Sequence, residues 1–152
     1  MRKYQVPFQN AVLTASILNS LHRIVSGSAY RINLWELFLG SRASADAAAS
    51  FEMVRETAFT SGGVAITPAP IDQGDPASVA TASTGATGTV FVGLTGTVIV
   101  LAFGMNQRGT YRFVCDPATP IKFAAAANAG AVLSCDSVSA AYNVDGGSVF
   151  SE

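Results

Sequence analysis

The sequence predicts an all-β fold: a single β-sandwich of jelly-roll type over residues 1–152, with one long extended connection. Three observations predict it. Short runs rich in Val, Ile, Phe, Tyr and Thr recur down the chain between Gly, Pro, Ser and Asn, the pattern of strands separated by turns. No alternation of strands with long helical segments is present, which argues against a parallel sheet and for two packed antiparallel sheets; a jelly roll is a common way to place eight strands in two sheets. The length suits one domain with a core that buries about two thirds of the unfolded surface.

The elements follow in order. Residues 3–12 read as the first strand, and residues 17–25 as a strand or a short helix, since Ile17, Leu18, Leu21 and Ile24 also fit a 3.6-residue period. In residues 30–39, Tyr30, Ile32 and Leu34 alternate with Arg31 and Asn33 before both faces turn apolar at Trp35, Leu37, Phe38 and Leu39, as in a strand covered on both sides. The alanine-rich residues 43–50 read as a turn of helix or a flexible loop, and residues 51–59 as a strand of ambiguous facing. Asp75 followed by Pro76 has the form of a helix start over residues 75–80. Residues 88–94 form a further strand, and the apolar run 97–105 predicts a central strand. The turn 106–109 then predicts a β-hairpin into residues 111–115. Strands are expected at 120–125, 131–134 and 139–143, with Asp145, Gly146 and Gly147 turning a final ribbon into residues 148–150.

The connection 61–88 stands apart. It holds Pro68, Pro70 and Pro76, three of the six prolines, and several glycines, so it is a poor central strand, and residues 64–71 should run extended in polyproline-like geometry. A connection of this length in a compact domain is usually functional or ordered by a partner.

Composition points to assembly. Hydrophobic residues make up 49% of the chain and charged residues 12%, about half the charged fraction of an ordinary soluble domain. So little charge gives weak repulsion between copies, and one remedy is to bury surface against other subunits. Nine basic against ten acidic residues give a net charge of −1 without a basic cluster beyond Arg2 and Lys3, which disfavours nucleic acid as a partner. No membrane span is expected: the most apolar window, 90–105, is too short and is broken by Gly and Thr. Gln5, Pro7, Gln9 and Asn10 interrupt what would be the apolar run of a signal peptide, so synthesis and folding in a cytoplasm are expected. Cys115 and Cys135 read as buried free thiols, because a small secreted disulfide framework uses more cysteines.

A search for chemistry finds no catalytic constellation, and no cofactor or metal is expected. His22 is the single histidine, and the two cysteines lack a zinc-binding spacing. No nucleophile elbow, phosphate loop or dinucleotide fingerprint is present. Glu36 in an apolar strand needs a partner, for which Arg55 is the candidate. Asp72 and Asp75 lack the further alternating ligands of a calcium loop and read as turn residues. Arg31, Arg55, Arg108 and Arg112 read as solvent-facing, with inter-subunit ion pairing as the sharper alternative.

One stretch carries a resemblance. Phe51, the run Arg55, Glu56, Thr57, Ala58, the turn Ser61, Gly62, Gly63, and the segment 64–77 from Val64 through Pro68, Pro70, Ile71, Asp72 and Asp75 to Ala77 together resemble a group of small virion proteins of tailed bacteriophages. Phe59 departs from that pattern, where a small polar residue is usual. The resemblance implies a capsid cement or decoration protein: a small β-sandwich, often trimeric, on the outer head surface of the virion, bridging neighbouring major capsid proteins. On this reading the partners are a major capsid protein and further copies of the chain. The expected contacts are Pro68, Pro70, Ile71, Asp72 and Asp75 of the connection and Tyr4, Val6 and Phe8 of the amino-terminal strand, because extended termini can add strands to a neighbour's sheet. A carbohydrate- or receptor-binding β-sandwich of a tail fibre or cell surface is the alternative, and a major shell protein a third; fold alone does not separate them.

Overall fold

The computed structural model describes residues 1–14, 19–44, 46, 48–57, 63–85, 98–106, 108–138 and 140–152. Among them are twelve strands and no helix: β1 (Lys3–Leu13), β2 (Asn19–Val25), β3 (Ile32–Ser41), β4 (Ala48–Glu56), β5 (Val64–Ile66), β6 (Ala69–Pro70), β7 (Thr81–Thr84), β8 (Val98–Asn106), β9 (Thr110–Val114), β10 (Ile121–Phe123), β11 (Gly130–Ser137) and β12 (Tyr142–Ser151).

Their pairing is that of one long antiparallel ribbon rolled into two sheets. β1 pairs with β12, β2 with β11, β3 with β9 and β10, and β4 with β8, so residues from the two arms meet in reverse order. Rolling then sets β12 beside β3 and β11 beside β4. One sheet runs β10-β3-β12-β1-β6, with β9 also on β3, and the other β5-β7-β2-β11-β4-β8. Removing the short strands β5, β6 and β7 leaves β2-β11-β4-β8 in one sheet and β1-β12-β3 in the other with β9 and β10 sharing the outer edge of β3, a β-sandwich in jelly-roll order, as the sequence predicts.

The alternation of β1 shows why the strands adopt these faces. Tyr4, Val6 and Phe8 point into the core; Asn10 adopts a positive φ of 55° at a bulge, after which Ala11 and Leu13 take over the inward parity. From the other strands, Leu21, Ile24, Leu34, Leu37, Phe51, Met53, Leu133 and Phe150 complete one core between the sheets. Fully burying each such side chain contributes about 1.5–3 kcal/mol. A small second cluster, Val54 and Val132 with Val25, lies apart from it.

Several expectations are corrected. The run ending at Asn106 is the edge strand of its sheet, with Val98 and Ile99 about half exposed, and not a central strand. The turn closed by the Gly109 N–H on the Asn106 carbonyl (2.8 Å) is real, yet β8 pairs with β4 and β9 with β3, so it carries the chain between sheets and makes no hairpin. Ala48, Ala49 and Ser50 begin β4, because pairing with Asn106, Met105 and Gly104 outweighs the helical preference of alanine. Asp145, Gly146 and Gly147 do not turn: β12 runs through them, and a Cβ on Gly147 would lie 2.7 Å from the Phe38 ring and 2.8 Å from the Val6 carbonyl oxygen. The residues after Asp75 form no helix. The connection is not strand-free, since β7 sits inside its sheet between β5 and β2. From Asn19 onward the segment with the helix alternative is strand; its residues 17 and 18, the strand expected at 88–94, and Phe59 lie outside the described residues.

Candidate functional site

The two segments expected to make contacts dock on each other. β6 extends the sheet beside β1, with Tyr4 opposite Pro70 and Gln5 opposite Ala69, and the Ile71 N–H donates to the Lys3 carbonyl at 2.9 Å. The Tyr4 hydroxyl donates to the Pro76 carbonyl at 3.1 Å. Asp72 builds the intervening turn: its carboxylate accepts from the Gly74 N–H (2.9 Å) and its carbonyl from the Asp75 N–H (3.0 Å). Arg2 lies 3.9 Å from Asp75, an exposed pair worth little. The Glu152 carboxylate accepts from the Val79 N–H (3.0 Å), the Ala80 N–H (3.2 Å) and the Ser78 hydroxyl (3.2 Å). A groove of about 410 Å³ runs between Met1, Tyr30, Pro76, Val79 and Glu152. Its rim is apolar and wet: Met1 is 83% exposed, Tyr30 50% and Val79 49%, and Ile71, on the same connection, is 55% exposed.

The expected contact residues divide accordingly. Ile71 and Asp72 are exposed, Pro70 and Asp75 half-buried, and Pro68 buried. Tyr4, Val6 and Phe8 lie in the core with at most 3% exposure, so the outward face of β1 belongs to Lys3, Gln5, Pro7 and Gln9. The alternation carried that signal, since the polar parity faces water. Nor does β1 offer a long free edge: β6 covers Tyr4 and Gln5, Pro7 has no N–H, and the bulge at Asn10 turns the strand. Asp145 holds that bulge by accepting from the Asn10 N–H (2.8 Å) and Arg42 Nε (2.5 Å), and the Asn10 bond, with help from Arg42, lowers its pKa. Met1 and Val79 escaped the sequence reading because they lie outside strand periodicity, and Tyr30 because its alternation with Ile32 and Leu34 marks it as the first inward residue of a strand that begins at Ile32.

Two further surfaces stand out. The outer edge of β8 has no strand partner among the described residues, and its sequence from Val98 to Asn106 carries no charge. On the outer face of the other sheet, a groove of about 370 Å³ lies between Gln5, Gln9, Phe38 and Asp145. Trp35 is half-buried and not a core residue; its indole N–H donates to the Ser151 hydroxyl at 2.8 Å, and Lys3 lies over its ring at 5.1 Å.

Two of the remaining charged or titratable groups have local partners. Glu36 takes Arg112, with Nε 2.6 Å from its carboxylate, in place of the expected Arg55. His22 is 1% exposed, stacks on Phe8 with centroids 5.2 Å apart, and has Nε2 2.8 Å from the Ser148 hydroxyl; burial lowers its pKa from 6.5 to about 4. Cys115 and Cys135 are buried thiols that form no disulfide. Among the described residues no group of three or more His, Cys, Asp or Glu is placed to hold a metal, and no helix is long and apolar enough to cross a membrane. Comparison with protein-family models, with curated proteins and with solved structures finds no match, so the functional reading rests on the molecule's own surfaces.

Proposed function

We propose that the protein is a structural component of a phage particle: a cement protein that self-associates, as a trimer, and stabilises the head by bridging major capsid proteins. The observation that carries this reading is the exposed apolar rim formed by Met1, Tyr30 and Val79, with Ile71 also exposed on the same long connection, where that connection docks on the amino-terminal strand. Such side chains on a chain with only 12% charged residues favour burial against another subunit. The resemblance of residues 51–77 to phage cement proteins points the same way. The mechanism is mass action: a ligand that binds only the assembled shell stabilises it by RT ln(1 + [L]/Kd).

Light scattering at several concentrations tests the self-association, with a mass near three times the 15.6 kDa of the chain as the expected result. Ile71→Lys with Val79→Lys should return the protein to monomer without unfolding it. A monodisperse monomer for the unsubstituted protein at every concentration overturns the reading.

A second reading has its own support in the outer groove beside Phe38, Gln5 and Gln9, where an aromatic ring adjoins two amides. Retention on a polysaccharide column, lost on Phe38→Ala, would favour a carbohydrate-binding module.

A further inference from the structure

Three of the chain's nine cationic side chains, Arg31, Arg55 and Lys122, line one open pocket of about 280 Å³ with Phe123 and Ala124, and no carboxylate lines it. The pocket lies where the two sheets meet. Lys122 pairs across from Asn33, which places it next to Arg31 at the start of β3, while Arg55 comes from β4 of the opposite sheet. The loop after β10 that forms its rim is tied down by Ser26, whose hydroxyl lies 2.7 Å from the Ala124 carbonyl and 2.9 Å from that of Ala129.

Arg55 is held in advance of any ligand. Its guanidinium lies over the Phe123 ring at 5.7 Å, and Nη2 donates to the Lys122 carbonyl at 3.0 Å. Its Nε is buried without a hydrogen-bond partner. Elsewhere three cations have a carboxylate partner: Arg2 with Asp75, Arg42 with Asp145 and Arg112 with Glu36. None of the three pocket cations forms an ion pair among the described residues. Gathering three like charges without a counter-charge is unfavourable by itself, and the arrangement is relieved by a multiply charged anion. A planar arginine fork held against an aromatic ring suits the paired oxygens of such an anion.

We propose that Arg31, Arg55 and Lys122 form a binding site for a phosphate group. Arg55 supplies the oriented fork, and Arg31 and Lys122 supply the flanking charge. The inference is independent of the virion reading.

The test is calorimetric titration of the full chain with inorganic phosphate and, separately, with glycerol phosphate, each against chloride at matched ionic strength. Saturable binding of one phosphate per chain is expected. Binding of both ligands marks a site for phosphate groups on larger molecules, and binding of inorganic phosphate alone marks a closed ion site; either supports the proposal. Arg31→Gln and Lys122→Gln, both at exposed positions, should each weaken binding by about tenfold, as loss of a charge-assisted hydrogen bond does. Arg55→Lys keeps the charge but loses the fork and should also weaken it. Heat no greater than with chloride, or affinity unchanged in the Arg31 and Lys122 variants with their thermal unfolding intact, overturns it.

Discussion

Lowering the pH from about 7 to about 4 should remove a defined part of the stability through one side chain, His22. Its ring is 1% exposed, packed against Phe8, and its Nε2 meets the hydroxyl of Ser148, which is itself fully buried. Charging the ring in that environment is unfavourable, and its pKa falls from 6.5 to about 4. Between those two values the unfolded chain binds a proton that the folded chain does not, so acid favours unfolding. The stability tied to neutral His22 is complete above about pH 6.5 and is lost as the pH falls through that window, after which the loss levels off. At about 1.4 kcal/mol per pH unit the total comes to about 3 kcal/mol. Urea unfolding at half-unit pH steps measures it, with His22→Gln as the reference because an amide does not titrate. The difference between the two curves should shrink by about 3 kcal/mol from neutral pH down to pH 4. Asp145 does not confuse the result: its pKa is lowered, so its stability is lost only below the usual carboxylate range, and it is common to both proteins. Parallel curves for the two proteins across the window would refute the argument.

Three other outcomes are expected. Gly130→Ala places a Cβ 2.0 Å from the Ile24 carbonyl oxygen and should cost at least about 3 kcal/mol or prevent folding, whereas Gly40→Ala, whose nearest neighbour is 3.9 Å away, should stay within about 0.5 kcal/mol; thermal unfolding of the pair distinguishes them. Glu152→Ala removes the acceptor of the Val79 amide and one of the two acceptors of the Ala80 amide, and should lower stability by about 1–2 kcal/mol while hydrogen exchange accelerates most at Val79. Val98→Lys and Ile99→Lys, at positions just over half exposed on the edge strand, should leave the unfolding midpoint nearly unchanged yet reduce association at high concentration, read by light scattering.

The sheet-forming segments were legible because their alternation is local. Tyr4, Val6 and Phe8 against Lys3, Gln5, Pro7 and Gln9 specify a strand and its wet face without reference to the rest of the chain. What was not legible depends on neighbours. Val98 to Met105 is apolar on both faces, which sequence reasoning equates with a central position, yet its place at the edge is decided by which strands flank β4. Gly146 and Gly147 carry a turn signature, and only their close neighbours, the Phe38 carbonyl oxygen and Phe8 ring at Gly146 and the Phe38 ring at Gly147, show that they are mid-strand residues with no room for a side chain. The contact surface fared similarly. Ile71 and Asp72 could be picked from the composition of the connection, but Tyr30, Met1 and Val79 come together in one groove only because Glu152 and Tyr4 fasten that connection to the amino-terminal strand. The pocket of Arg31, Arg55 and Lys122 draws on residues far apart in sequence and leaves no trace in any single segment.

The rolled ribbon also has a kinetic side. Lys3 pairs with Ser151, a separation of 151 − 3 = 148 residues, whereas Arg55 pairs with Val98, a separation of 98 − 55 = 43. Closing the longer loop costs about 1 kcal/mol more in chain entropy, so once the local β5–β7 pair (Ile66 with Ala82, a separation of 82 − 66 = 16) is set aside, β4 and β8 at the tip of the ribbon are cheaper to join than β1 and β12, and zipping proceeds toward the ends. During synthesis, β1 to β4 leave the ribosome well before β8 to β12 exist to complete their ladders. The growing chain therefore carries unpaired apolar strands until β12 emerges, and folding should be slow, with a temperature-sensitive yield.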